Sequence, residues 1–394
     1  MYKLFLIKRV IENVFIYLFI LIGRLIARLY PLKKEFRIFF FFPFYHTGGA
    51  EKVHAQIAEA AGGDDCIIYF TRRSSDNRFF EDFKNSRCEI KEISGFTDIK
   101  WLYFLNLIYR GIITGYINKQ KQPPVVFNGQ CNFAYKISPW IKRQIRQFEL
   151  IHSLNSFSYI RIPFIPFITK TVMISRQRIE DHKKLYERFQ IPLEIAERII
   201  YISNAIPIPA SVIPERSSSP FKILYSGRPG PEKRIHLITE MATELNKEQK
   251  DIQFEMIGDI SSLVNASNFP FIKFYGNIND NEEMNSIYSN AHLLLITSNT
   301  EGFPMVVMEA MANGCGIIAT PVGDIPFHIK NNENGFLFSS INDESVIVKE
   351  GCEKILWLKN NLHEWKKISE INIKYANDHF GIEQFNSAYR DLLK

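Results

Sequence analysis

Two cations stand close together in Gly227-Arg228-Pro229-Gly230-Pro231-Glu232-Lys233, a loop that follows the apolar run FKILYS and leads into a helix-forming segment. Unpaired backbone N–H groups at a helix start attract anions, and Arg228 and Lys233 add positive charge to them. Such a loop suits a diphosphate that gains charge as a bond to it breaks. It does not meet G-x-x-x-x-G-K-[ST], so it is not a Walker loop, and taken alone R-x-x-x-x-K also fits a solvated surface loop. A second stretch, TSNTEGFPMVVMEAMANG, puts Glu301 just after a strand and Glu309 on a helix opened by Pro304. Their separation would rise about 12 Å along a helix, so the two carboxylates suit different parts of one elongated ligand. Glu309 lies among Val307, Met308 and Met311, where burial is costly unless hydroxyl groups hydrogen-bond to it. A pair of ribose hydroxyls would do so; an exposed helix face with a capping glutamate is the plainer alternative.

These loops need strands to carry them. FRIFFFF (36–42), DCIIYF (65–70), CEIKEI (88–93) and PVVFN (124–128) read as buried strands, with VHAQIAEAA and WLYFLNLIYRGIITGYI as helices between them. This alternation predicts β-α-β units and a parallel sheet. IIYIS (199–203) is soon followed by PIPASVIPERSSSP, whose prolines and serines continue neither element. A second series then runs through FKILYSG, a helix from about Glu232, IQFEMIG, FIKFYG, a helix from about Asn281, HLLLITS, VVMEAMANG and GIIAT. The fold class is therefore α/β, two doubly wound parallel-sheet domains whose chemistry belongs in the loops beyond the strands' carboxyl ends. The boundaries expected are a basic apolar helix at 1–34, a first domain at 35–206, a linker at 207–220, a second domain at 221–375 and a closing helix at 376–394.

In order along the chain, HTGGAEK, SGRPGPEKRIHLI and EGFPMVVMEAMANG, continuing through ATPVGDIP to NGFLF, resemble the signature of family 4 retaining glycosyltransferases. FGIEQFNSAYRDLL is similar to that family's final helix. The resemblance covers residues 36–394 and implies the GT-B fold, with two Rossmann-like domains facing a cleft and the last helix crossing back to the first. It implies that Arg228 and Lys233 hold the diphosphate of a nucleoside-diphosphate sugar, Glu309 its ribose and Glu301 the sugar hydroxyls. Backbone groups of Gly302, Phe303, Met305 and Val306 around Pro304, with Gly227 and Gly258, would complete the donor pocket, and Gly48 and Gly49 would approach the phosphates from the first domain. His152 in FELIHSLN matches the family's first-domain histidine; a satisfied core histidine is the alternative. Ser203-Asn204-Ala205-Ile206 resembles the family's hinge. GCGII and Phe327 depart from the family pattern at the pocket edge, which leaves the donor unassigned.

Composition narrows the partners. The net charge of +6 resides wholly in residues 1–40, where eight Lys and Arg face Glu12 and Glu35. A basic segment interleaved with Phe, Ile and Leu points to an anionic membrane surface rather than to nucleic acid. Within it NVFIYLFILIG is uncharged but shorter than the roughly 20 residues of a span. The expectation is a helix lying on the cytoplasmic leaflet, with Arg24 and Arg28 snorkelling, a true span second and a core helix third. RIPFIPFI further along adds a greasy stretch suited to a lipid-linked acceptor. The five cysteines are scattered and form neither a disulfide framework nor a zinc pattern. Asp280-Asn281-Glu282-Glu283 reads as a helix start and Gly63-Asp64-Asp65 as a turn, so no metal or other cofactor is expected.

The function expected is sugar transfer from a nucleoside-diphosphate donor to a glycan or lipid-linked glycan in cell-surface polysaccharide or lipopolysaccharide assembly. A non-catalytic sugar-nucleotide-binding membrane protein and a sugar-nucleotide epimerase of the same fold are the alternatives. A nicotinamide enzyme is disfavoured because neither glycine loop supplies G-x-G-x-x-G.

Overall fold

The computed structural model describes residues 1–394 apart from Thr47, Lys100, Leu102, Ser153, Asn155, 209–215, Ser262, Asn279 and the side chain of Asn281. The chain divides into two compact units, Met1–Ser203 with Glu383–Lys394, and Asn204–Ile382.

The first unit is built on β1 (Ile38–Phe42), β2 (Cys66–Phe70), β3 (Glu89–Glu92), β4 (Val125–Asn128), β5 (Arg146–Ile151), β6 (Lys170–Met173) and β7 (Ile199–Tyr201). They lie in the order β3-β2-β1-β4-β5-β6-β7, and every pairing is parallel. Helices cover both faces of such a sheet, which is why β1 reads Ile-Phe-Phe-Phe-Phe with all five residues buried. Phe40 is in register with Ile68 on one side and Phe127 on the other. The strand order reverses between β1 and β4, so the loops after Phe42 and Asn128 diverge and leave a crevice.

The second unit carries β8 (Phe221–Ser226), β9 (Ile252–Ile257), β10 (Ile272–Gly276), β11 (Leu293–Ile296), β12 (Gly316–Ala319) and β13 (Gly335–Leu337), in the order β10-β9-β8-β11-β12-β13. Its pairings are parallel too. Here the reversal falls between β8 and β11, the strands that precede the two loops carrying the charged residues. Both units thus have the doubly wound architecture of the GT-B reading.

The closing helix, Ile382–Leu392, joins the first unit: Arg390 Nε donates to the Ala60 carbonyl at 3.0 Å, and Tyr389 sets its ring edge against Phe127. The crossing starts later than position 376, because Leu362–His379 is one helix whose Ala376 is buried in the second unit with Phe380. The expected linker is likewise tied down outside 209–215, which lie beyond the described residues. Arg216 donates to the Asn313 carbonyl and sits over the Trp365 ring at 5.1 Å, while Ile206, expected to end the first domain, lies in the second unit and bridges to Gly381.

At the N-terminus a single helix runs Tyr2–Leu29, stopping short of position 34 yet outlasting the uncharged stretch, and it is long and apolar enough to cross a membrane. It packs on the helix Tyr103–Asn118 through small residues. A Cβ on Gly23 would fall 2.1 Å from the Ile108 carbonyl oxygen, and one on Gly111 would fall 2.4 Å from that of Ile20. Two basic residues turn inward instead of toward a headgroup layer: Arg9 Nη1 donates to the Pro163 carbonyl at 2.5 Å and Arg24 Nη2 to that of Trp140 at 2.9 Å. Arg28 is exposed. The stretch RIPFIPFI is not a lipid-facing element either. Ile162, Phe164 and Ile165 are core residues, and Arg161 is fully buried against Glu149.

Candidate functional site

Strand β8 ends at Ser226, and the loop beyond it tightens into one 3-10 turn, Pro231–Lys233, before the helix Ile235–Asn246. Arg234 links the two with φ 47°, a left-handed conformation that an arginine adopts only when its surroundings hold it there. They do. Its buried guanidinium donates from Nε to the Thr297 carbonyl at 2.7 Å and from Nη1 to that of Ile341 at 2.6 Å. Thr297 Oγ1 donates back to the Lys233 carbonyl at 2.8 Å, and the Asn299 N–H to that of Glu232 at 2.9 Å. The loops after β8 and β11 are therefore stapled together by a residue that has no conspicuous signal in the sequence.

The staple sets the spacing of the charged groups. Lys233 Nζ lies 2.6 Å from Glu301 Oε1, with side chains 17% and 11% exposed, so this ion pair is drier than a surface pair. Arg228 is exposed on the same loop, and its carbonyl accepts from Tyr225 Oη at 3.4 Å. Burial pushes the Tyr225 phenol up, and the negative charges of Glu301 and Glu232 push it further. Glu309 is half-buried in the helix Met305–Ala312 and accepts from Tyr288 Oη at 3.3 Å, while Tyr288 is itself fully buried. The structure thus brings Lys233 and Glu301 into contact, and sets Glu309 against Tyr288, which sequence reasoning does not pick out.

The glycines have specific duties here. Gly258, after β9, has φ +124°, and a Cβ on it would fall 1.9 Å from the Gly227 carbonyl oxygen. Gly323 has φ +59°, and its Cβ would meet the Gly302 carbonyl oxygen at 2.1 Å; the adjacent Asp324 N–H donates to that same oxygen at 2.7 Å. The backbone at Glu301–Gly302 is held from behind, and a Cβ on Gly302 would meet nothing within 4 Å. Phe303 takes no part through its side chain, which is buried and stacks on His328 at 4.0 Å between centroids. Pro304 caps the helix, and Met305 and Val306 are partly buried in its first turn. Asp280 heads the helix Asn281–Asn290, accepting from the Glu283 N–H at 2.8 Å.

In the first unit the crevice between β1 and β4 holds a second cluster. His152, just past β5, places Nε2 3.0 Å from Nε2 of His54, which lies on the helix Gly49–Ala61 and stacks on Phe42. Two imidazoles in that contact cannot both be protonated. Burial holds His152 down at about 4, and burial together with the His152 charge holds His54 well below the ordinary imidazole range. In the sequence His54 is hidden in VHAQIAEAA, which reads only as a helix face. Gly48 and Gly49 head that helix; a Cβ on Gly48 would meet Glu51 Oε2, whereas one on Gly49 would meet open space. A cavity of about 430 Å³ opens beside His54 and His152.

Residues 211–370 match the family of glycosyl transferases group 1. The chain is 28% identical over 163 residues to the UDP-N-acetylglucosamine–peptide N-acetylglucosaminyltransferase GtfA subunit of Streptococcus pneumoniae, covering 38% of this chain and 31% of that one. It is 38% identical over 76 residues to the D-inositol 3-phosphate glycosyltransferase of Corynebacterium diphtheriae, covering 19% and 15%. The chain spans between 31% and 42% of the length of the first relatives it matches. Its fold is similar to that of Anabaena HepE solved with UDP and glucose, at TM-score 0.67 and 15% identity over 91% of this chain and 99% of that one. It is also similar to the lipopolysaccharide outer core galactosyltransferase WaaB, at TM-score 0.65 and 18% identity over 90% and 98%.

Proposed function

We propose that the protein transfers a glycosyl unit from a nucleoside-diphosphate sugar, since residues 211–370 match the glycosyl transferases group 1 family and the fold is similar to that of solved GT-B proteins. The observation that carries this reading is the stapled pair of loops after β8 and β11, which sets Lys233 against Glu301 at 2.6 Å beside the exposed Arg228. A diphosphate entering there takes Lys233 as counter-ion, and Glu301 is released to accept hydrogen bonds from sugar hydroxyls. Glu309, already hydrogen-bonded by Tyr288, takes the ribose. A solved protein of similar fold holds UDP and glucose, which supports a sugar nucleotide as donor.

In the proposed reaction an acceptor hydroxyl attacks the anomeric carbon and the bond from that carbon to the phosphate oxygen breaks. The acceptor proton passes to the leaving phosphate oxygen. Arg228 and Lys233 neutralise the diphosphate as its charge grows, a stabilisation stronger in the transition state than in the ground state. Retention of anomeric configuration is part of the proposal and rests on the family resemblance. The first unit takes the acceptor, with the neutral His152–His54 pair beside its cavity. The reading needs no metal ion, since side-chain cations serve the diphosphate.

The acceptor proposed is a glycan carried on lipid, in surface polysaccharide or lipopolysaccharide assembly at the cytoplasmic face of the cell membrane. The support is the N-terminal helix, whose Val14, Phe15, Leu18 and Leu25 are exposed, with Lys3, Lys8 and Arg28 exposed along it. An apolar outer surface flanked by cations suits an anionic bilayer. The test is to incubate the full chain with a panel of labelled nucleoside-diphosphate sugars, with and without cell lipids, and follow the label. Lipid-dependent transfer is expected; epimerised donor, or binding without turnover, would replace the reading.

A further inference from the structure

The cavity beside His152 contains a buried cation that the proposed donor site does not use. Arg110, on the helix Tyr103–Asn118, is 5% exposed, and among the described residues no carboxylate lies within ion-pair distance of it; the charge of Glu12 on the N-terminal helix acts on it from farther off. Its Nε donates to Asn106 Oδ1 at 2.9 Å and its Nη2 to Tyr103 Oη at 2.8 Å, both neutral partners. Of the other charges lining the cavity, Arg72 lies 3.4 Å from Asp98, and Glu51 lies 3.8 Å from the His46 imidazole, which counters it only when protonated. Lys136 Nζ lies 3.6 Å from that same Glu12. That pair is partly exposed and thus weak. Among the described residues Glu12 thus acts on both Arg110 and Lys136, so two cations share one carboxylate, and the excess buried charge is expensive unless a further anion completes it.

Position says where the anion comes from. Tyr103, Arg110 and Lys136 line both the 430 Å³ cavity and an adjoining one of about 300 Å³, whose far wall is Glu12, Phe15 and Ile16 of the N-terminal helix. Phe15 is 78% exposed there, and Trp101, two residues before Tyr103 in the chain, is 86% exposed, an aromatic side chain of the kind that sits at headgroup level. We propose that Arg110 and Lys136 form an anion subsite for the phosphate or diphosphate of the acceptor, which enters from the membrane along the N-terminal helix. The inference rests on the glycosyl-transfer reading and names its acceptor class. On binding, the phosphate displaces Glu12 from Lys136 and gives both cations a closer counter-charge.

The test is calorimetric titration of the full chain with farnesyl diphosphate and, separately, with inorganic pyrophosphate, in the wild type and in R110Q, K136Q, E12Q and K233A. Loss of a charge-assisted bond weakens binding by about tenfold or more, so R110Q is expected to lose at least that much and K136Q several-fold. E12Q is expected to tighten binding, and K233A to leave farnesyl diphosphate binding unchanged; pyrophosphate also fits the donor loop, so its affinity for this subsite is read in K233A. Should R110Q fail to fold by circular dichroism, K136Q, at a partly exposed position, decides the outcome. Unchanged affinity in K136Q and R110Q would overturn the proposal, as would loss of farnesyl diphosphate binding in K233A alone, which would put that probe in the donor loop. Tighter binding of farnesyl diphosphate than of pyrophosphate assigns a lipid-borne phosphate; equal affinities would overturn entry from the membrane. Nucleoside diphosphate titrated into the same preparations separates this result from the donor reading, which fails by itself if nucleotide binding is absent while farnesyl diphosphate still binds.

Discussion

Replacing Lys233 by alanine perturbs two energies of different origin, and the structure fixes the expected size of each. Toward ligand, it removes one charge-assisted hydrogen bond to the diphosphate, about 1.5–3 kcal/mol, or roughly 10- to 150-fold in dissociation constant. Toward folding, it strands Glu301, whose side chain is 11% exposed and loses the ammonium 2.6 Å away. Exposed pairs contribute about 0–1 kcal/mol and breaking a fully buried one costs about 3–5, so this intermediate pair implies a loss of about 1–3 kcal/mol. The double variant Lys233→Ala/Glu301→Gln leaves no uncompensated charge and should regain most of that stability without regaining affinity. Titration with nucleoside diphosphates reads the first quantity and urea denaturation the second. If Lys233→Ala binds the nucleotide within about twofold of wild type, the assignment of this loop to the diphosphate is refuted.

Three further outcomes follow from the same geometry. Glu149 accepts from Arg161 Nε at 3.0 Å and from Thr171 Oγ1 at 2.6 Å, and both charged residues are fully buried; although burial raises its carboxyl, the Arg161 charge and these bonds hold it below the ordinary range. Glu149→Ala should therefore cost about 3–5 kcal/mol in denaturant unfolding, and a loss under about 1 kcal/mol would show that the pair supports little. His152 titrates at about 4 when folded, below its ordinary 6.5, so its contribution to stability is complete above the unfolded value and is lost as pH falls from about 6.5 toward 4. His152→Asn should lessen the slope of the denaturation midpoint across that window by one histidine's share, since burial depresses His54, His182 and His292 as well, and an unchanged slope would assign the acid sensitivity to those three. Finally, EDTA treatment should leave turnover intact, since Arg228 and Lys233 serve the diphosphate; a loss restored by divalent cation would overturn that division of labour.

The loops after β8 and β11 were legible because long apolar runs announced the strands and glycine, proline and charge marked where they ended. Parallel topology did the rest, since a reversal between β8 and β11 must bring Lys233 near Glu301. What escaped had weak local signals. β6 is Lys-Thr-Val-Met and β13 only Gly-Phe-Leu, too short for periodicity to register. His54 and Arg234 look ordinary in sequence, one on an alanine-rich helix face and one after a more conspicuous lysine; only tertiary contacts reveal the imidazole pair and the staple. RIPFIPFI misled because hydrophobicity alone does not distinguish a core segment from a lipid-facing one. Arg161 held the clue, because a charge inside an apolar run needs a buried partner, here Glu149. The linker misled for a related reason: its prolines and serines do break regular structure, yet Arg216 fastens its far end to the second unit.

The most direct measurement is a crystal structure of the full chain soaked with the nucleoside diphosphate it binds best. The account predicts phosphate oxygens within hydrogen-bond distance of Lys233 and Arg228, ribose hydroxyls on Glu309, and Glu301 no longer paired with Lys233. A nucleotide bound away from these four side chains, with the Lys233–Glu301 pair undisturbed, would contradict it.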